Sequence, residues 1–214
     1  MAKRALIAED KRARRGAILD TALALFNSGD GGLPTASQIA SASGLAKGTV
    51  YIYFQTKEEI FATLLLEGWI PVLNAVSSIF DSQKGKRSEK VNMMIAVLVE
   101  HLQRHPELLR LDALVSGVLE KSMPLEVLER YQREFRALVI KSGTSIDRSL
   151  RLASGRGVQL LVRTHALVRG LWQSAQHKDS ESDASVPHQL ALTPSLYAQE
   201  LAAALREYWR GALA

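Results

Sequence analysis

The stretch TASQIASASGLAKGTVYIYFQTK, residues Thr35 to Lys57, decides the reading of this chain. Thr35 and Gln38 fit a T-x-x-Q capping box, in which side chain and backbone satisfy each other's free groups at a helix start. Ile39 and Ala40 then give small and medium apolar positions for packing on a neighbour. Ser43-Gly44 stops that helix, because glycine takes the left-handed backbone a helix end needs. Leu45, Val50 and Phe54 are the next apolar positions, and Lys47-Gly48-Thr49 opens a second short helix. Thr56 and Glu59 offer a second capping box for a third helix. Two short helices around a glycine turn, the second opening on a base and small residues, form a helix-turn-helix suited to the major groove.

Outward from this stretch the pattern stays helical, with no strand alternation and no internal repeat. Residues 11–28 place Ile18, Leu19, Ala22, Leu25 and Phe26 on one stripe, the spacing of an amphipathic helix. Asp30 to Pro34 is a turn. A long helix follows from Thr56 towards Ser82, and Pro71 inside it is expected to kink or split it. A polar break at 83–87 precedes a helix over 88–104, stopped before Pro106. Further helices are expected at about 106–120, from Ser122-Met123-Pro124 to the region of Ser142-Gly143, and over 156–176. In the Ser122 helix the proline would sit in the first turn. The 156–176 helix is apolar nearly all round and so needs cover on more than one side. His177 to Leu192 reads as a loop, and Thr193-Pro194 opens a last helix. The fold class is therefore all-α. The expected domains are a three-helix DNA-binding domain at 1–57 and a second helical domain at 58–214.

Charge separates the same two segments. Residues 1–57 hold 8 Lys/Arg and 4 Asp/Glu, whereas 58–214 hold 19 and 18. Most of the excess positive charge lies with the helix-turn-helix, which suits double-stranded DNA as partner. Lys3, Arg4, Lys11, Arg12, Arg14 and Arg15 read equally well as a solvated basic face. The chain has 214 residues, is 47% apolar and has no cysteine, so a sizeable core is available and disulfides and thiolate metal sites are excluded. The amino-terminal basic residues have no apolar run behind them, unlike a secretory signal. No run of 18 apolar residues suggests a membrane span. A cytoplasmic location is the expectation.

Arg15, Ile18-Leu19, Ala22, Leu25-Phe26, Gly29, Thr35, Ile39-Ala40, Gly44, Lys47-Gly48-Thr49, Tyr51, Tyr53-Phe54 and Lys57-Glu58 together resemble the amino-terminal signature of TetR-type transcriptional regulators. The match spans about residues 11–65. Pro34 and Ala36 depart from the aromatic, apolar or threonine residues usual there, and Leu45-Ala46 replaces the usual Val-Ser. The resemblance implies DNA contact by Thr35, Lys47, Gly48, Thr49, Tyr51, Tyr53 and Lys57, with both tyrosines on phosphate. Lys47 can reach a phosphate or a guanine edge, and Thr49 a base or its phosphate. Thr35 serves equally well as a simple N-cap. Lys57 sits at a helix N-terminus, which favours anions.

The resemblance also implies that the carboxy-terminal helices dimerise and enclose a small-molecule pocket. Trp69, Met93, Met94, Val97, His101, Phe135, His165 and Trp172 are candidate lining residues, and ordinary core packing is the competing reading for each. The helices at 156–176 and 194–213 carry more apolar surface than one core needs. Leu160, Leu167, Leu171, Leu201, Leu205 and Tyr208 are thus the expected homodimer contacts. No nucleophile–base motif, P-loop or G-x-G-x-x-G is present, so no catalytic residue and no cofactor is expected. His101 and His105 have a chelating i, i+4 spacing, but no carboxylate completes a metal site. The reading is a ligand-responsive regulator, a repressor released from its operator by a small, largely apolar effector. The alternative is a helical interaction protein governed by a protein partner.

Overall fold

The computed structural model describes residues 2–29, 32–114, 120–176 and 196–214. Among these the regular elements are all helical: α1 (Ala2–Ser28), α2 (Ala36–Ala42), α3 (Lys47–Tyr53), α4 (Lys57–Asp81), α5 (Arg87–Arg104), α6 (Glu107–Leu114), α7 (Glu120–Ser122), α8 (Leu125–Leu150), α9 (Arg156–Gln176) and α10 (Tyr197–Ala212). The loop expected at 177–192 and the helix start at Thr193-Pro194 lie outside the described residues, as does 115–119 of the helix expected to reach residue 120.

Three local expectations need correction. The first helix begins at Ala2, well before residue 11. Pro71 does not split α4, which runs unbroken through it. Proline removes one N–H from the helix ladder, and packing compensates, since Trp69, Val72 and Leu73 on either side of it are buried. Pro124 stands outside α8 rather than in its first turn, its carbonyl accepting from Val127 and Leu128 N–H at 3.0 Å each. By length and composition α4 could also cross a membrane, contrary to the expectation, but most of its apolar window is buried within the fold.

The chain forms two compact units: residues 1–67 with 110–132, and residues 68–109 with 133–214. Neither follows the expected boundary at residue 57. In the first unit, Ile18, Ala22 and Phe26 of α1 are buried, as are Ile39 of α2, Val50 of α3, Phe54, and Ile60, Phe61 and Leu65 of α4. Phe26 and Phe61 meet with ring centroids 5.9 Å apart, a distance at which aromatic pairs attract beyond their buried area. Arg110 lies 4.5 Å over the Phe26 ring and donates to Phe26 O at 3.2 Å. Arg130 pairs with the buried Glu59 carboxylate. A charge this far from water needs such a partner.

The second unit is tied by small residues and buried polar links. A Cβ on Gly157 would lie 2.2 Å from Gly143 O, and one on Gly143 would lie 2.5 Å from Val158 Cγ2. Only glycine permits α8 and α9 to cross so closely. Asp147 of α8 accepts from Gly155 and Gly157 N–H at 2.8 and 2.6 Å, satisfying the free donors that open α9. Lys90 of α5 is buried and donates to Phe80 O, Ser82 O and Ser149 Oγ, and the first two are carbonyls at the end of α4. Helix α10 packs on α5 and α9. Its Trp209 is wholly buried and donates to Thr164 Oγ1 at 3.0 Å.

Candidate functional site

The helix-turn-helix is built by local chemistry. Gln38 N–H donates to Thr35 Oγ1 at 3.2 Å, and Thr35 N–H donates back to Gln38 Oε1 at 2.8 Å. This closes the capping box that starts α2. Gly44 ends the turn at φ +66°, a backbone that a side chain would strain. Leu45 N–H then donates to Ala40 O at 2.9 Å. Helix α3 buries Val50, with Phe54 buried just beyond its end, and turns its other face outward.

On that outer face Lys47 and Gly48 are exposed and Thr49 is half-buried. Tyr51 is exposed, and Lys47 Nζ stands 6.0 Å above its ring. Tyr53 is half-buried. Ile52 is 72% exposed. Nothing in the pattern singles it out, since an apolar residue beside Val50 and Phe54 reads as core. Thr35 is exposed at the opening of α2. Thr56 Oγ1 accepts from Glu59 N–H, but Glu59 bonds Gln55 N–H instead of completing the box. Lys57 reaches Glu58 Oε1 at 3.9 Å. Pro34 and Ala36, two of the departures noted in the sequence, are both buried. They change the packing at the corner before α2 and offer no surface to a ligand.

The second unit holds a cavity of about 110 Å³ walled by α4, α5, α8 and α9. Trp69, Met94, Phe135 and His165 come together there, with Val72, Leu73, Val76, Leu98, Val139, Leu161, Val162, Thr164 and Val168. Trp69 and His165 meet edge to face, centroids 5.4 Å apart at 83°. The other four candidates lie elsewhere. Met93 is 55% exposed on the outer side of α5; the turn that buries Met94 and Leu98 carries it away from the wall. Val97 is half-buried beside the same outer face and is not in the wall. Trp172 lines a separate cleft with Val99, Pro106 and Tyr197. The Tyr197 hydroxyl donates to Val168 O at 3.2 Å, and burial pushes its pKa up.

His101 is occupied with structure. Its Nε2 lies 2.8 Å from Gly68 O, and since a carbonyl only accepts, Nε2 carries the proton. Its ring lies 4.6 Å from that of His105 at a tilt of 41°, and His105 Nδ1 is 3.2 Å from Glu107 Oε1. Burial is the main cause holding the His101 pKa below the usual imidazole value, and the Gly68 bond works in the other direction.

The proposed dimer contacts divide too. Leu160, Leu201 and Leu205 are 0% exposed within the single chain. They have no surface left for a partner, because the stripe that looked like surplus covers the chain's own core. Leu167, Leu171 and Tyr208 remain half-exposed. Val162, absent from the expected set, is largely exposed on the same helix as Leu167.

Two family models cover most of the chain: residues 18–64 match bacterial regulatory proteins of the tetR family, and residues 66–214 match a tetracyclin repressor-like C-terminal domain. No curated protein matches the chain. Among solved structures, a TetR-family transcriptional regulator from Mesorhizobium loti MAFF303099 is similar over 95% of this chain and 96% of its own, with 17% identity and a TM-score of 0.62. One from Shewanella sp. PV-4 covers 92% and 97%, with 18% identity and a TM-score of 0.58. The regulator FadR from Bacillus subtilis, in complex with stearoyl-CoA, covers 90% and 97%, with 20% identity and a TM-score of 0.53.

Proposed function

The chain belongs to the tetR family of bacterial regulatory proteins, and on that premise we propose that it binds a palindromic DNA operator as a homodimer and represses transcription until a small, largely apolar effector releases it. The observation that carries the reading is α3, a seven-residue helix anchored by Val50 and Phe54 with Lys47, Tyr51 and Ile52 turned to solvent. Lys47 would meet a phosphate or a guanine edge, and Ile52 a thymine methyl. Tyr51, Tyr53, Thr35, Thr49 and Lys57 would hold the backbone and fix the register. In this reading residues 1–57 bind DNA, residues 58–214 hold the effector and the dimer contacts, and the protein works in the cytoplasm.

Two recognition helices enter successive major grooves only when about 34–36 Å apart along the duplex. An effector that binds better to a differently spaced dimer weakens DNA binding by the same factor by which DNA weakens effector binding. Reversing occupancy from 99:1 to 1:99 needs a preference on the order of 10⁴-fold. The cavity in the second unit, apolar but for Thr164 and His165, is the proposed effector site. It is far too small for a ligand such as the stearoyl-CoA bound to FadR, since pockets for drug-sized ligands run to about 300–1,000 Å³.

Fluorescence anisotropy against pooled genomic DNA fragments, with and without a library of small neutral compounds, tests this. Enrichment of a two-fold symmetric sequence, and its release by at least one compound, is expected. Equal binding to every fragment would remove the operator. Specific binding that no compound reverses would remove the effector.

A further inference from the structure

A cleft of about 430 Å³ runs between α5 and α10, two helices that pack on each other within the second unit. Val91 and Trp209 are buried at its floor. Its exposed lining is cationic and polar: Arg87, Ser88 and Asn92 come from α5, and Arg206 and Arg210 from α10. Helix geometry explains the convergence. Residues four apart share a face, so Ser88 with Asn92, and Arg206 with Arg210, line up along the cleft.

No Asp or Glu lines this cleft, so its three arginines meet no opposite charge there. Elsewhere arginines find acids: Arg14 pairs with Asp10, Arg15 with Glu67, Arg104 with Glu100 and Arg148 with Asp81. Among the described residues Arg87, Arg206 and Arg210 have neither an ion pair nor a side-chain hydrogen bond. The acids nearest in sequence do not compensate. Glu89 lies outside the lining and accepts from Lys86 N–H at 2.8 Å. Glu207 is exposed on α10, also outside the lining, and pairs with neither arginine of that helix. Residues 58–214 as a whole are nearly balanced, with 19 Lys/Arg and 18 Asp/Glu. The positive charge is therefore a local concentration. A polymer or a membrane spread over this region would meet about as many acids as bases, whereas a small anion would meet only the cleft.

Guanidinium groups are planar forks of N–H donors that match carboxylate and phosphate oxygens. A carboxylate has two oxygens and fills one fork. A phosphate monoester has three acceptor oxygens and nearly two negative charges at pH 7, enough for more than one arginine at once. Ser88 and Asn92 add neutral donors on the same lining. We propose that this cleft binds a small phosphate-bearing molecule, its phosphate held by Arg87, Arg206 and Arg210. The volume falls within the roughly 300–1,000 Å³ of small-molecule sites, which leaves room for the group that carries the phosphate. This site is separate from the apolar cavity and from α3, and its occupant is charged where that of the cavity is apolar.

Isothermal titration calorimetry of the full-length protein with inorganic phosphate, pyrophosphate and acetate tests the site. Phosphate and pyrophosphate should bind once per chain, and acetate about tenfold more weakly than either. Arg87→Gln, Arg206→Gln and Arg210→Gln should each weaken pyrophosphate by about fivefold to tenfold, the size of a charge-assisted hydrogen bond. Arg136→Gln removes an arginine that is exposed on α8 outside the cleft, and should change the affinity by less than about twofold. All four arginines are exposed, so the variants should keep the fold. Absence of phosphate and pyrophosphate binding in wild type would overturn the proposal, as would an equal loss in Arg136→Gln; the arginines would then be a solvated basic face. Binding to pooled genomic DNA fragments, and cosedimentation with vesicles of phosphatidylcholine and phosphatidic acid, are measured on the same variants. If the three cleft variants lose either of these while pyrophosphate affinity is unmoved, the cleft serves a macromolecule and the proposal falls.

Discussion

The helix-turn-helix and the cavity-bearing helices place their candidate side chains in opposite ways. Around α3 the candidate groups face outward: Lys47, Tyr51 and Ile52 are exposed, and the helix is fixed by two apolar residues beneath it. In the second unit they face inward: Trp69 and Met94 are nearly covered, and the groups that hold them come from four different helices. The first arrangement depends on contacts within a few residues, such as the Thr35–Gln38 box and the Gly44 turn. The second depends on contacts far apart in sequence, such as Gly143 with Gly157, Lys90 with Ser149 and Thr164 with Trp209. A damaged surface should therefore cost function alone. A damaged interior should cost the fold.

The largest expected effect sets two leucines against each other. Leu205 is fully buried in α10, and Leu167 is half-exposed on α9. Leu205→Arg puts a charge in the core with no partner, at a cost on the order of 5 kcal/mol, and should give little folded protein by circular dichroism. Leu167→Arg should melt within about 1 kcal/mol of wild type but sediment as a monomer and lose palindromic binding. A folded Leu205→Arg would break the contrast between inside and outside. A dimeric Leu167→Arg would remove this part of α9 from the interface.

These two leucines also mark where the sequence could be read and where it could not. The capping box at Thr35, the stop at Gly44 and the start of α3 at Lys47 were legible because each is a signal spanning only a few residues. Leu205 and Leu167 both sit on apolar helical stripes, and a stripe says only that something covers it. Whether the cover is the same chain or another copy depends on how α9, α10 and α5 pack. The same limit explains Met93 and Met94, adjacent residues of one type: one full turn of helix is enough to define a face, but the sequence does not say which face meets the cavity. Trp69, whose nitrogen has no partner among the described residues, had no sequence signal at all, because satisfaction of a donor is a property of the folded neighbourhood.

Next in size is Gly157→Val. The new Cβ would fall 2.2 Å from Gly143 O, a backbone atom that cannot rotate away. Helices α8 and α9 would have to separate, costing about 3 kcal/mol or more. Urea denaturation should show the loss. At Gly170, on the same helix, an added Cβ meets nothing within 4 Å. Gly170→Ala should hold or raise stability, by up to about 1 kcal/mol, through helix propensity. Equal effects at the two glycines would mean that the close crossing is not what holds this unit.

Smaller effects are expected on the outer face of α3, and they should appear in binding rather than in melting. Lys47→Ala should cost about 1–3 kcal/mol on the operator and relax preference at one base pair if the ammonium reads guanine. Lys57→Ala should weaken specific and unrelated DNA alike and lower the salt slope by about one. Unchanged salt dependence in both variants would take DNA away from this surface. A large loss of thermal stability in either would show that these lysines belong with the structural contacts.

The smallest expected effect tests whether the inward-facing unit carries a pH dependence that the outward-facing one lacks. His101 of α5 has its pKa lowered, by burial first and by His105 and Arg104 next, against the raising influence of Gly68 O and Glu107. The folded protein thus favours neutral His101, and the unfolded chain takes up the proton at higher pH. Stability from this residue is present above the ordinary imidazole pKa of about 6.5 and is lost as pH falls through and below it. His101 is only partly buried, so the slope should amount to a fraction of a proton. His101→Gln keeps an N–H for Gly68 O and cannot titrate. Denaturation midpoints of wild type should fall from pH 7.5 to pH 5.5 by more than those of the variant. Parallel midpoints in the two proteins would show that His101 titrates alike folded and unfolded, and that its bond to Gly68 is all it contributes.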